Sequence, residues 1–483
     1  MKFDTMKNPY GRVKMNSLQD LVSTHGGALK MLRSARPETG APAHAAMQPQ
    51  PMIPIVPQEF SSWDQEQEAW RNAVVLYDQT HHMTDLYITG TDAVRLFSDI
   101  ATNNPKNYAT GRGNQLILCN AEGYFLADGI LCGLEDNHFL FNGLEPGCNL
   151  IRYYAETGDY NVELNKVPKS EAYPNGEARA RTLCRFQLQG PNAAALIEKL
   201  NGAPMPAIGF FHMTDLKIGD IPVKALRHGM AGAVGCEFWA PFEQRHIIRE
   251  TIIAAGKEFD LHCVGHRAYV TASVESGWVG APMGAFFTHS MKPYREWLAA
   301  DSAEGSLLLR GSLDTDNIED YYFTPYELGY GPFVHLDHDF VGRDALAALD
   351  PAEQRHKVTL AWNADDIADL VKDMLDPEGE GYKPLDFPWP EHQMQTYRPY
   401  NAVMAGDRRV GVSLNSCYQR SERAFLSLAM VEADIQIGDE VELIWGESGS
   451  YFFKATPMKR IRAIVSPVPY SRVARESYRS KAA

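Results

Sequence analysis

The apolar positions of this chain change period several times, and each change predicts an element. MTDLYITG alternates and ends on a Gly-Thr-Asp turn, which predicts a strand. DAVRLFSDI, which follows, has helical spacing. QLILCNAEGYFLADGILCGL predicts two strands around an Asn-Ala-Glu-Gly turn, HFLFNG a further strand, and GCNLIRYYAET a helix. The strand-then-helix pattern recurs at FQLQGPNAAALIEKLNG. Helix signals return at 242–257 and from Arg343 to Leu349. From about residue 356 the texture changes. KVTLAWN, VGVSLNSCYQ, FLSLAMVEAD, EVELIWGE and RIRAIVSPVPY are short alternating strands between polar turns, the pattern of an all-β barrel or sandwich.

The flanks are less regular. LQDLVSTHGGALKMLRSA predicts one or two amphipathic helical turns packed on the body, and WDQEQEAWRNA a helix with acidic residues in its first turn. Residues 36–58 are rich in Pro and Ala and read as an extended segment whose apolar end, Met52 to Val56, lines a site. The acidic stretch 364–392 reads as a long excursion, and no fixed-period repeat is present. The expected class is α+β, with segments 1–58, 59–355 and 356–483.

Length agrees with several units, since 483 residues at roughly 100–200 per domain give two to four. The net charge of −15 argues against a nucleic-acid backbone or an anionic membrane surface as partner. Seven scattered cysteines without a CxxC pair form neither a zinc signature nor a disulfide framework. With no apolar leader and no run of 18 apolar residues, a cytoplasmic enzyme is expected. P-loop, dinucleotide-binding and GxSxG signatures are all absent from the sequence. HLDHDF reads as a strand that sends His and Asp to opposite faces, so no metal site is expected there.

Three clusters could carry chemistry. In YDQTHHM, Asp78, His81 and His82 precede a strand; the plain alternative is one His capping backbone and the other exposed. In GHRAY and the downstream ESGW, Arg267 and Glu275 could form an ion pair while Trp278 stacks on a flat ring; a structural pair and a core Trp are the alternative. In RHGMAGAVGCE, three glycines allow close backbone approach and Glu237 could take the paired donors of an aminopyrimidine; a simple hairpin is the alternative.

Together these strings resemble the folate-binding aminomethyltransferase family. The matching elements run in family order: DQTHHM, LADGIL, FQLQGP, RHGMAGAVGCEFW, GHRAYVTASVESGW, YELGYGPFVHLDHDFVGRDAL and PVPYS, over roughly residues 58–475. A closer likeness is to the tetrahydrofolate-dependent O-demethylases of lignin-derived aromatics, carried by DQTHHM, LRHGMAGA, ESGW, NIEDYY, YGPFV, DHDF and IVSPVPYS. The resemblance implies a three-lobed fold with two lobes before the C-terminal barrel and tetrahydrofolate in a central channel. It implies Gln187, Glu237, Trp278, Arg267 and Asp128 as folate-binding residues. Tyr269 matches a catalytic tyrosine, and His82 a histidine beside the methoxylated ring.

The implied chemistry suits these residue types. Phenoxide is a poor leaving group, and a positioned acid such as Tyr or His typically contributes about 10²–10⁴-fold. Holding the folate N5, the methyl carbon and the ether oxygen in line supplies much of the remainder. Such a direct transfer needs no metal. Sulfur or nitrogen demethylation, or folate binding without catalysis, are the competing readings. They fit the His82 and Tyr269 pair less well.

The chain departs from the vanillate-type pattern at two places. Gln50 to Pro54, with Ile53, replaces a tyrosine-bearing segment, and Leu144 stands where an arginine clamps the substrate carboxylate. His212 and His266 are candidate replacement partners for a carboxylate. Expected substrates are methoxybenzoates of the dicamba or syringate type, or neutral methoxyarenes.

Overall fold

Two strand–glycine–helix units organise the first half of the chain. Gly90 and Gly190 have φ of 142° and 126°, and a Cβ would lie 2.1 Å from Asn161 O at the first and 2.4 Å from Ala73 O at the second. Only glycine accommodates that turn. The helices Ala93–Ile100 and Ala193–Asn201 start just beyond, each with one face buried. The computed structural model describes residues 17–33, 55–170, 181–230, 233–280, 282–388, 397–449 and 454–476.

Each unit feeds its own sheet. The strands are β1 (Val74–Asp78), β2 (Thr84–Thr89), β3 (Gly113–Cys119), β4 (Phe125–Glu135), β5 (His138–Gly143), β6 (Glu163–Val167), β7 (Leu183–Gln189), β8 (Met213–Ile218), β9 (Ile221–Leu226), β10 (Gly235–Pro241) and β11 (Leu261–Cys263). One sheet runs β3-β4-β5-β2-β6 and the other β11-β1-β7-β10-β9-β8. β1 and β10 flank β7, with Tyr77 and Glu237 both opposite Gln187.

Beyond them β12 (Leu308–Arg310) pairs in parallel with β14 (Tyr397–Pro399). A closed barrel follows, β13-β17-β16-β15-β18-β19, from β13 (His356–Trp362) through β15 (Asn401–Ala405), β16 (Arg408–Gln419), β17 (Ala424–Val431) and β18 (Glu440–Trp445) to β19 (Lys459–Ser466). Its core holds Leu360, Val403, Leu443, Trp445 and Ile461, each at 0 % exposure. Full burial of such a side chain contributes about 1.5–3 kcal/mol. The helices Leu18–Thr24 and Ala28–Arg33 pack Leu18, Leu21, Met31 and Leu32 into the largest core, as the amphipathic pattern predicts.

Two sequence expectations are corrected. The stretch 364–392 is not a featureless excursion, because it opens on the helix Ala364–Met374. Asn363 caps that helix from its side chain, and Leu370 is buried with Ile367 packed on the barrel core. HLDHDF is not a strand but a run of turns, in which His335 N–H bonds Thr102 O and Phe340 packs with Leu346 and Cys119. Among the described residues no helix is long and apolar enough to cross a membrane, and no group of three or more His, Cys, Asp or Glu could hold a metal ion.

Candidate active site

The loop from Gln79 to Met83, between β1 and β2, is fixed by both backbone and side-chain partners. Asp78 Oδ1 accepts from Thr80 N–H at 3.0 Å, Gln79 N–H bonds Arg185 O at 3.0 Å, and Arg185 N–H bonds Thr80 Oγ1 at 3.1 Å. His81 then lies 2.8 Å from Ser170 Oγ through Nδ1. His82 turns the other way, and its Nε2 is 3.0 Å from the Tyr269 hydroxyl. Both histidines are buried, so the reading with one exposed His does not hold.

Tyr269 ends the short helix His266–Tyr269, and its ring meets Tyr77 and His82 edge-on at centroid distances of 5.4 and 5.3 Å. Burial, reinforced by Arg185 and Arg181, lowers His82 to about 3. Burial also raises Tyr269 far above its ordinary value. At neutral pH the pair is therefore a neutral imidazole bonded to a protonated phenol. His82 Nδ1 has no partner among the described residues.

His82, Tyr269 and Trp278, with Met83, Leu144 and Met230, form the common wall of two adjoining chambers. The first is acidic and flat-walled. Glu237, Asp128, Gln79, Asn142, His228, Phe211 and Tyr330 line it. Three donors converge on Asp128 Oδ2: Gln115 Nε2 at 2.8 Å, Trp278 Nε1 at 3.1 Å and Tyr330 OH at 2.5 Å. None of them uses Oδ1. Burial raises Asp128 against these donors. Glu237 Oε1 accepts from Trp239 Nε1 and lies 3.9 Å from Arg185 Nε, and burial raises this acid too. The His228 imidazole stacks on Phe211 at 5.4 Å and 14°, and burial lowers it to about 4.

Beneath this chamber the two sheets are joined by a buried ion cluster. Asp85 of β2 takes Arg181 Nη2 at 2.7 Å, Asn142 Nδ2 at 2.8 Å, and Arg185 Nη2 from β7. Pairing of this kind offsets the cost of taking two guanidinium groups out of water.

The second chamber is mostly apolar. Leu144, Pro146, Val270, Pro282, Ala303, Leu307 and Leu414 line it, with Glu145, Arg398, Asn415 and Tyr400. The barrel and β14 supply one wall. Asn415 sits at φ 47° in the β16 bulge between Leu414 and Cys417, which breaks the ladder and turns the strand there.

The residues singled out from sequence divide into three groups. His82, Tyr269, Trp278, Glu237, Asp128 and Leu144 line the chambers. Gln187 sits one layer beneath, accepting from Gln79 Nε2 and donating to His228 O at 3.0 Å; it orders the lining without joining it. Arg267 is not at the chambers. Its guanidinium holds Glu59 at 2.6 Å and the Phe387 carbonyl, and Glu275 pairs instead with Arg71 through a 2.7 Å bond from Nε. The expected Arg267–Glu275 pair is thus replaced by one to the helix Trp63–Asn72, which packs alongside. His212 bonds the Phe210 carbonyl at 3.0 Å, and neither it nor His266 lines either chamber. Ile53 lies outside the described residues.

Sequence reasoning missed Gln79, Asn142, His228, Tyr330, Arg398 and Asn415. Tyr330 and His228 lie inside quoted motifs, whereas Arg398 in TYRPYN carried no local signal.

Residues 43–282 match the family model described as the GCVT N-terminal domain. The chain is 36 % identical over 468 residues to syringate O-demethylase of Sphingobium sp., covering 96 % of this chain and 97 % of that one. It is 27 % identical to sesamin methylene transferase of Sinomonas sp., over 86 % of this chain and 90 % of the relative. The solved glycine cleavage aminomethyltransferase T of Bartonella henselae shares the fold at a TM-score of 0.56 and 16 % identity, over 85 % of this chain and 90 % of that one. The chain belongs to the aminomethyltransferase family, in the tetrahydrofolate-dependent O-demethylase branch that syringate O-demethylase represents.

Proposed function

We propose that this enzyme moves the methyl group of a methoxybenzoate of the syringate or dicamba type, or of a neutral methoxyarene, to tetrahydrofolate, leaving a phenol. The observation that carries this reading is the neutral Tyr269–His82 pair, 3.0 Å apart, on the wall shared by the two chambers. A proton donor there faces both a folate and an aromatic ether.

The acidic chamber fits a pterin. Glu237 and Asp128 offer carboxylates to ring N–H groups, and the Phe211–His228 stack and Trp278 offer flat apolar walls. Gln187 and Arg185 position Gln79, the His228 backbone and Glu237 from beneath. Tetrahydrofolate, when bound, supplies the N5 that accepts the methyl and gives up its own proton. The protein's part is to hold the ether oxygen near an acid as its bond to the methyl carbon breaks. With His82 Nε2–H donating to the Tyr269 oxygen, the Tyr269 hydroxyl proton is free to point at the ether oxygen. The tyrosinate would then take the Nε2 proton of His82 while His82 Nδ1 takes up another in its place, balancing the proton that N5 would release, so the protein's protonation state is unchanged over the cycle. Apolar residues of the second chamber exclude water, so the acid works in a low dielectric. The seven free cysteines support a reducing, cytoplasmic setting.

The test is incubation with tetrahydrofolate and a panel of syringate, dicamba, guaiacol and a sulfonium donor, with 5-methyltetrahydrofolate and the free phenol read out. Product from an ether supports this reading. Product from the sulfonium alone, or folate binding without product, overturns it.

A further inference from the structure

Tyr269 and Trp278, both on the wall between the chambers, are joined through the short helix Ala272–Ser276. That helix is tied down by side chains that line neither chamber. Gln67 Nε2 donates to Thr271 Oγ1 at 2.9 Å, and Gln419 Nε2 to Thr271 O at 2.9 Å. Arg71 clasps Glu275 Oε1 through both Nε and Nη2, and Nη2 reaches on to Glu422 Oε1 at 3.0 Å. Glu275 is 3 % exposed. Past it the chain turns at Gly277, with φ 70°, and Trp278 N–H closes the turn on Ser273 O at 2.8 Å. A shift of the helix therefore moves Tyr269 at one end and Trp278 at the other. Through Trp278 Nε1 it also reaches Asp128 and Tyr330. The groups facing Glu275 are Arg71 from the helix Trp63–Asn72, Glu422 from the turn after β16, Tyr77 from β1 and Cys417 from β16. Burial keeps Tyr77 and Cys417 neutral. Burial also pushes Glu275 up to about 7, against Arg71 and with Glu422 adding to the rise.

We propose that Glu275 is a positioning residue for the reaction: its ion pair with Arg71 sets the helix that places Tyr269 and Trp278 together on the shared wall. When Glu275 takes a proton from solvent, the clasp loses its charge attraction and the wall loosens. Stability and rate then answer pH in opposite senses. Folding favours the protonated acid, because its value in the folded chain lies above the ordinary 4.5. The stability this group contributes is whole below that value and is lost as pH rises through about 7. The ion-paired form, and with it the rate, increases over the same span. The rate readout rests on the demethylase reading above.

Wild-type kcat should rise from about pH 6 to about pH 8, and Glu275→Gln should hold it flat, about tenfold below the wild-type plateau. Glu422→Gln removes a charge that holds Glu275 up, so the rise should move to lower pH with the plateau kept. A wild-type rate in Glu275→Gln, or a rise near pH 7 that persists in it, overturns the inference. So does a rate loss matched by a lower urea midpoint at about pH 8, where the sign above predicts none. Should Glu275→Gln fail to fold by near-ultraviolet circular dichroism, the shift in Glu422→Gln decides. Labelling with 5-fluorotryptophan gives a readout free of turnover. The Trp278 fluorine resonance, assigned by its loss in Trp278→Phe, should carry a step near pH 7 that Glu275→Gln removes. Any step from Asp128, which also bonds Trp278, stays in both proteins. No Glu275-dependent step overturns the inference. Such a step in an enzyme forming no 5-methyltetrahydrofolate from any ether keeps the anchor and refutes the demethylase reading instead.

Discussion

At the residue scale the site depends on keeping ionisable groups neutral. His82 at about 3 and Tyr269 far above its usual range have one main cause, removal from water. Tyr269→Phe keeps the ring packed on Tyr77 and removes only the hydroxyl. Its turnover should fall by about 10²–10⁴-fold with KM little changed, as steady-state kinetics will read. The same burial makes the fold acid-sensitive. A histidine whose folded value is depressed contributes stability that is whole above its unfolded value near 6.5 and is lost as pH falls toward the folded value. For His82 that window runs from about 6.5 down to about 3, and for His228 to about 4. Urea unfolding should show each costing about 2 kcal/mol between pH 7.5 and 5, and His228→Gln should lessen that slope. His82, Tyr269, Glu237, Trp278 and Asp128 were legible because each sits in a recognisable string. Arg398 was not: what sets it apart is a chamber built with residues such as His82, more than three hundred positions away, and local pattern cannot express that.

At the element scale, glycines shape the floor of the acidic chamber. Phe141 of β5 packs where three side chains would otherwise be, and a Cβ on Gly129, Gly143 or Gly147 would fall within 2.8 Å of its ring. Gly129 follows Asp128 directly, so this packing sets how close the carboxylate comes to a ligand. Gly129→Ala, with its Cβ 2.4 Å from the ring, should cost about 1–3 kcal/mol in urea unfolding and also weaken tetrahydrofolate binding in titration. Strands and helices of the first half follow the periodicity closely, since each buries one face on a sheet. The helix Ala364–Met374 was missed although Ile367, Leu370, Val371 and Met374 have helical spacing and Asn363 is a good cap. Acidic density and later prolines masked a stripe that is only half buried. HLDHDF misled in the opposite way. Its two apolar residues, Leu336 and Phe340, pack against Leu346 and Cys119 from a loop with turns, without strand pairing.

At the scale of the whole molecule, two sheets and a barrel converge on one cavity. Asp85 reaches from the five-stranded sheet to Arg185 of the six-stranded one, with Arg181 closing the cluster. Asp85→Ala strands two buried cations and should cost about 3–5 kcal/mol, read as a lowered urea midpoint. The sequence announced the barrel through its run of short strands. It did not announce that β14 and the β16 bulge wall the apolar chamber, because that depends on how separate segments dock. The wall shared by the two chambers has a consequence for how ligands sense each other. Trp278, Tyr269, His82 and Met230 each touch whatever fills either side, so neither occupant can order that wall without changing the other's affinity. Thermodynamic reciprocity then fixes the relation: the factor by which the occupant of one chamber tightens that of the other must equal the factor in the reverse direction.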